Sequence, residues 1–308
     1  MTSLLGVACG GAPPEATART QLGRTDLCIV SQYTGKAAAF GEIAYANHVA
    51  YAAHHGYTYR MYTGRISGVV FRALPADGRP GSQGVRQEGL FWQKHTAIQE
   101  MLGASRPDSD APLCAWAMWV DADILFTNFH SRLEDLLATF ARPDTHLLLA
   151  REEVGAVIKG SAVLINAGTF IARNDLPAGL ALARIRNLFD PYNDAPLADQ
   201  DALTSYAFQQ EEAGAARLRA GLPVLPNWDF ASARIHLRPG LVAAPQRAFN
   251  AFRRGGNDGP AASWQPCDFI VHVSGLAAAR KATIMNELSQ QIDGCTTPAD
   301  WSSLAAGD

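Results

Sequence analysis

The sequence predicts an α/β fold with a parallel crossover and a ligand site at the carboxyl end of a strand. Three stretches carry that reading. Residues 26–32, 37–55 and 57–62 read as strand, helix and strand, an opening that implies a parallel connection. Residues 115–120 are an apolar run that breaks into Asp121 and Asp123 before Ile124-Leu125-Phe126 resumes it. Residues 162–173 are two apolar runs that pivot on Asn166-Ala167-Gly168.

In chain order, residues 26–32 (DLCIVSQ) are a short apolar run with polar flanks, a first buried strand. The turn after it, Tyr33-Thr34-Gly35-Lys36, lies where an open sheet meets a nucleotide. Tyr33 is a candidate to stack on a base and Thr34 to bond it; an ordinary turn with a half-exposed tyrosine is the alternative. Residues 37–55 set Phe40, Ile43, Tyr45, Val49 and Tyr51 among alanines with helical spacing, and Gly56 is the stop. Residues 57–62 (YTYRMY) are aromatic and β-prone. Residues 63–88 are rich in Gly, Arg and Pro without a period, and read as a lid or acceptor-binding insertion. Residues 90–102 form an amphipathic helix that turns Phe91, Ile98 and Leu102 to the core. It carries Lys94, a residue type usually solvated on a helix.

The acids of the central strand then need a reason. Desolvated carboxylates require a cation or a dense set of donors. No Lys or Arg lies between Leu113 and His130, so the local partner is a hard divalent ion, Mg²⁺ or Mn²⁺, bridging protein and diphosphate. Ligands of open α/β sheets sit at such strand ends. The alternative is a strand-to-turn junction whose acids are solvated.

A helix over 132–140 and a strand over 146–150 follow. The Asn beside Gly at 166–168 brings an amide and bare backbone close to a ligand, or marks a simple bulge. Residues 176–189 read as a helix, and 197–210 as another that opens on Ala198-Asp199-Gln200-Asp201, a placement the helix dipole alone accounts for. Residues 222–236 and 246–252 are mixed in character. Residues 268–274 (DFIVHVS) form a late strand carrying His272, a core histidine or a ligand, and a helix over 276–292 closes the pattern.

The chain has 308 residues, 48% hydrophobic and 18% charged, enough for one large core. With a net charge of −3 and pI near 6.2 it has no basic field for nucleic acid or a membrane surface. No apolar stretch is long enough to span a bilayer. The five cysteines, Cys9, Cys28, Cys114, Cys267 and Cys295, are far apart with no C-x-x-C pair. They predict reduced thiols, no clustered-cysteine zinc site and a cytoplasmic setting. Residues 1–24 read as a flexible leader, 25–295 as a single catalytic domain and 296–308 as a flexible tail.

The ordered blocks HHGYTYRMY, FWQKHTAIQEML, WVDADILFTN, LINAGTFIARN, ADQDAL and IVHVSG resemble the galactosyl-, mannosyl- and xylosyltransferases of glycosyltransferase family 34. The resemblance covers most of residues 27–288 and leaves out the leader, the 63–88 loop and the segment around 225–265. It implies the glycosyltransferase-A (Rossmann-like) fold, a central mostly parallel sheet flanked by helices. It implies a retaining transfer of galactose, xylose, mannose or glucose from a nucleotide-sugar donor, UDP-linked in our reading, to a hydroxyl of a glycan or small molecule. The cofactor implied is Mn²⁺, with Mg²⁺ the alternative. Asp123 matches the direct metal ligand, Asp121 a ligand to ribose or to the metal's water shell, and His272 the residue completing the metal site. Asn166, Ala167 and Gly168 match the block lining the sugar pocket, Asp199 and Gln200 the pair at the donor sugar, and Lys94 a basic position facing the diphosphate. Ala198 stands where the family commonly has a second acid. Family 8 glycosyltransferases share the two acids and the late His but place a Lys shortly after it; Lys281 lies nine residues beyond His272. A nucleotidyltransferase is a rival of a different class, for which residues 33–36 make a poor phosphate loop. A nucleotide-sugar-binding protein without turnover is the non-enzyme rival.

Overall fold

The computed structural model describes residues 17–23, 25–66, 91–152, 157–158, 161–162, 164–192, 195, 197–225, 237–253 and 263–306. The long loop read as a lid lies almost wholly outside them, as do Cys9 and most of residues 222–236. Twelve strands are described in order: β1 Thr17–Gln21, β2 Leu27–Tyr33, β3 Thr58–Thr63, β4 Trp116–Val120, β5 Ile124–Phe126, β6 Leu147–Arg151, β7 Val157–Ile158, β8 Ser161–Ala162, β9 Ile165–Arg173, β10 Leu241–Ala244, β11 Ala251–Phe252 and β12 Ile270–His272. The helices that matter for the site are α1 Ala38–His55, α2 Gln93–Leu102, α4 Leu176–Asn187 and α6 Asp199–Ala207, with α3 Leu133–Phe140 and α5 Phe189–Tyr192 between them.

A seven-stranded sheet runs β1-β3-β2-β4-β9-β6-β10, and β4 is its middle strand. β2 is parallel to both β3 and β4, β10 is parallel to β6, and β9 runs antiparallel between β4 and β6. All strands of this sheet except β1 and β9 therefore point one way. A small sheet, β11-β12-β5, stands beside it.

Side-chain alternation divides the core between the two faces of the main sheet. Cys28 and Val30 of β2, Ala117 and Trp119 of β4, and Leu147 and Leu149 of β6 join one cluster with Trp92, Ile98 and Leu182. Ile29, Met118, Val120, Leu148 and Ala150 face the other, with Phe40 and Tyr51 of α1 and Ile284 and Met285 of the late helix Ala278–Ser289. Strands buried on both faces read as unbroken apolar runs, as these do. α2 starts at Gln93, so Phe91 precedes it and is exposed, while Ile98 and Leu102 are buried as the spacing predicts.

Two segments read as loose carry structure. Within 1–24, β1 pairs antiparallel with β3, and Arg19 lies 3.7 Å over the ring of Tyr45. Beyond 296, the helix Trp301–Ala306 buries Trp301 edge-on to Phe269, and its indole N–H donates to Ala248 O at 3.1 Å. Short polar stretches with one well-placed Arg or Trp dock through that residue, which composition does not display.

The cysteine reading is corrected outright. Cys28 is disulfide-bonded to Cys114 and Cys267 to Cys295, with Cα–Cα distances of 5.7 and 5.4 Å. Residues 86 positions apart meet because β2 and β4 are neighbours, a pairing invisible in the spacing. The thiol-based case for a reducing, cytoplasmic setting falls with it. We expect the Cys28→Ser/Cys114→Ser variant to lose about 4–5 kcal/mol of unfolding free energy in urea, the chain-entropy value for so long a loop. An unchanged midpoint would show that the bridge does not form.

Candidate functional site

The site is built where β4 ends. Asp121 follows Val120 directly, and its N–H donates to Gly168 O of β9 at 2.8 Å. Ile124 N–H donates to Asp121 O at 3.2 Å, so the chain turns through Asp121-Ala122-Asp123 and leaves as β5 in the second sheet. α1 anchors that exit. Asn47 brackets Phe126 with two hydrogen bonds, 3.0 Å to its carbonyl and 2.8 Å from its N–H, and His48 Nε2 lies 2.8 Å from Ile124 O. Burial holds the His48 imidazole at about 4, and so neutral.

Register brings in the histidine. β5 and β12 are antiparallel with Ile124 opposite His272, and Val273 N–H donates to Asp123 O at 2.8 Å. His272 Nε2 then lies 3.2 Å from Asp123 Oδ1, and Nδ1 lies 3.0 Å from Asn250 Oδ1. Ligand atoms of Asp121, Asp123 and His272 fall within 4.8 Å of one another. Two carboxylates and an imidazole fit a divalent transition ion such as Mn²⁺.

Cations that the local sequence lacks arrive from elsewhere. Lys94 of α2 is buried, donates to Ala167 O at 2.9 Å, and lies 3.0 Å from Asp199 Oδ2 and 3.4 Å from Asp121 Oδ1. Lys281, on the late helix, is in direct contact with Asp123 Oδ2. The reading of a metal as the local partner of these acids left out two cations: each acid also has a lysine from a distant element. Lys94 is engaged by three protein groups, Ala167 O, Asp199 and Asp121. Burial, only partly offset by Lys94, pushes the Asp199 carboxyl up to about 6. Desolvation of Lys94 is outweighed by Asp121 and Asp199, which hold it charged. For Asp123, burial is outweighed by His272 and Lys281, and its carboxyl sits well below the usual range.

The sugar-pocket block forms a bulge on β9, where the register with β6 shifts between Leu149 and Ala150. Asn166 Oδ1 accepts from Gly168 N–H at 2.8 Å, and its amide donates to Glu152 Oε2 at 3.0 Å. Gln200 Oε1 accepts from Ala167 N–H at 3.1 Å. Asp199 and Gln200 open α6 after Ala198, whose φ of 45° lies in the left-handed region. A non-glycine residue held there stores strain of about 1–3 kcal/mol, which clusters at functional sites. Asp201 reaches back to Leu197 N–H at 2.9 Å, and burial holds its carboxyl at about 6.

Asp121, Asp123, Lys94, Asn166, Ala167, Gly168, Asp199, Gln200 and His272 thus share one neighbourhood. Tyr33 and Thr34 make no described contact with it. The Tyr33 hydroxyl is in contact with Glu42 and accepts from Arg19 at 2.8 Å, its ring is almost wholly buried, and Thr34 O accepts from Ala37 N–H at 2.7 Å. Sequence reading missed Trp119, whose indole N–H donates to Asp121 Oδ1 at 2.6 Å, and also Glu152 and Asn250, and it set Lys281 aside as too far from His272. Trp119, two residues from Asp121, was the one with a visible signal. Gly168 is constrained by packing: a Cβ there would lie 2.6 Å from His272 Cε1. We expect Gly168→Ala to displace the imidazole and weaken Mn²⁺ binding by about 10–100-fold, the range for perturbed ligand support. Calorimetry showing wild-type affinity would separate His272 from the metal.

No family model matches the chain, and no curated protein is significantly similar to it. Among solved structures, it is similar to a glycosyltransferase involved in the glycosylation of the major capsid of PBCV-1, with a TM-score of 0.55 and 15% identity over 85% of this chain and 100% of that one. Weaker likenesses are to galactosyltransferase LgtC in complex with donor and acceptor sugar analogs (TM-score 0.39, 13% identity, 90% and 99% covered) and to glycosyltransferase GlyE of Streptococcus pneumoniae TIGR4 (0.37, 12%, 92% and 63%). The first of these, together with the central sheet and its flanking helices, establishes that this chain has the α/β fold of the glycosyltransferase-A class.

Proposed function

We propose that this chain is a metal-dependent glycosyltransferase that moves a sugar from a UDP-linked donor to a hydroxyl of a glycan or small-molecule acceptor. One observation carries the reading: Asp121, Asp123 and His272 converge at the carboxyl end of the central strand of a glycosyltransferase-A fold. When bound there, Mn²⁺ supplies charge neutralisation for a leaving diphosphate. Asp121, held by Trp119 and Lys94, presents an oriented carboxylate to the ion's water shell or to ribose. Lys281, a contact of Asp123 at the site's edge, is the ammonium we assign to the diphosphate, in place of Lys94.

Asp199 orients sugar hydroxyls. Gln200, whose carbonyl holds Ala167 N–H, keeps the Asn-Ala-Gly block in place and offers its amide to the sugar. Asp121 and Asp199 are both tied to Lys94, an arrangement that commits them to an internal ion pair, and we assign front-face attack with retention, the leaving diphosphate taking the acceptor's proton. Capture of a glycosyl-Asp199 adduct by mass spectrometry would replace that step with covalent catalysis. Family 34 remains our finer placement. A family 8-like enzyme is the second reading, favoured by Lys281: nine residues separate it from His272 in sequence, yet one turn into the late helix it reaches the same carboxylate.

The test is nucleoside diphosphate release from a panel of UDP- and GDP-sugars, with Mn²⁺ and with EDTA. Slow, Mn²⁺-dependent release from one UDP-sugar is expected. Release unaffected by EDTA removes the metal from the mechanism. Calorimetric donor binding with no release, even with acceptors supplied, identifies a binding protein instead.

A further inference from the structure

Asn250 lies in the segment that the family resemblance leaves out, between the short helix Gln246–Phe249 and β11. It is fully buried, and its backbone is fixed by an N–H bond to Gln246 O at 2.8 Å. Thr169 of β9 donates to the preceding carbonyl, Phe249 O, at 2.8 Å. The Asn250 side chain has two halves with different fates. Oδ1 lies 3.0 Å from His272 Nδ1, whereas Nδ2 has no partner among the described residues. A buried amide left half-satisfied costs about 1–3 kcal/mol, so packing alone is a poor reason for an asparagine here.

The imidazole it meets is buried and packed against neighbours. Phe252, opposite His272 in the β11–β12 register, places its ring 5.3 Å away, and a Cβ at Gly168 would meet Cε1 at 2.6 Å. With the ring seated between Asn250 and Asp123, the hydrogen on its nitrogens decides what it can do. An amide oxygen only accepts. The Nδ1 that meets it therefore carries a hydrogen; Nε2 faces a carboxylate oxygen of Asp123 at 3.2 Å and is the nitrogen that would turn a lone pair to a cation seated between them.

We propose that Asn250 is a positioning residue that holds His272 in the tautomer able to ligate a divalent cation through Nε2. The proposal rests on the metal-site reading above. A neutral acceptor fits this place: it selects the tautomer without adding a third negative charge beside Asp121 and Asp123. Ligand support of this kind is commonly worth about 10–100-fold in metal affinity.

The experiment is Mn²⁺ binding to the full chain by calorimetry, with pulsed EPR of the bound ion to detect histidine nitrogen coupling. Asn250→Leu keeps the volume but removes the acceptor, and is expected to weaken Mn²⁺ by about 10–100-fold with loss of the coupling. Asn250→Asp restores an acceptor and is expected to keep the coupling and bind Mn²⁺ at least as tightly as wild type. A wild-type spectrum without nitrogen coupling sinks the metal-site reading and this one together. Coupling present in wild type and retained in Asn250→Leu at unchanged affinity sinks this one alone. Should Asn250→Leu fail to fold, ¹⁵N NMR of the wild-type chain loaded with Zn²⁺ decides. Protonated Nδ1 with metal on Nε2 is expected, and the reverse pattern overturns the assignment.

Discussion

Asp123→Ala is expected to reduce Mn²⁺-dependent donor cleavage by at least about 10³-fold. Neutralising a leaving diphosphate is worth several kcal/mol in the transition state, and each 1.36 kcal/mol is a factor of ten. Asp123 is the centre of this effect because both its oxygens are engaged at the site, one by His272 Nε2 at 3.2 Å and the other by Lys281. Removing it deletes a ligand and releases the two basic groups that shape the cluster. The fold should survive. Lys281 keeps partial access to solvent, and His272 keeps its contact with Asn250. Circular dichroism and urea unfolding should therefore stay close to wild type while metal binding, read by calorimetry, is lost. Wild-type turnover in this variant would mean that the ion, if one is used, binds elsewhere.

Lys94→Met should show the opposite profile, a large loss of stability as well as activity. Its ammonium is the shared partner of two carboxylates and a carbonyl inside the protein. Breaking a buried pair by removing one partner leaves an uncompensated charge and costs about 3–5 kcal/mol. The pH dependence gives a sharper test. In the wild type Asp199 already titrates near 6, raised by burial and only partly offset by Lys94. Without Lys94 it rises further. A carboxyl whose folded value exceeds its unfolded one binds protons in the folded state that the unfolded chain does not, so it costs stability as pH rises through that range. The loss in Lys94→Met should be largest at pH 8 and distinctly smaller at pH 5, where Asp199 takes up a proton. Urea unfolding at both values checks it, and an equal or greater loss at pH 5 contradicts the shared-partner geometry.

How much of this was legible varies with the range of the interaction. The buried strands, α1 and α2 were readable because burial on one or both faces leaves a local pattern of period 2 or 3.6. The break at Asp121 and Asp123 was readable for the same reason, since charge in a buried run is a local anomaly. The inferred cause was incomplete. A stretch without Lys or Arg around the two acids pointed to a metal as the local counter-ion, and α2 and the late helix deliver Lys94 and Lys281 besides, the second from 158 positions away. Sequence distance also dismissed Lys281, because the late helix, packed on α1, brings it back to Asp123.

Composition and periodicity thus settled the class of fold, its buried strands and the position of the acids, because these depend on which side chains leave water along a short stretch. Disulfide pairing, the shared ion pair at Lys94, the meeting of His272 with Asp123 and Asn250 and the docking of Arg19 and Trp301 followed from strand order and register. Those bring together groups tens to hundreds of residues apart, and a chain records such meetings only once it has folded.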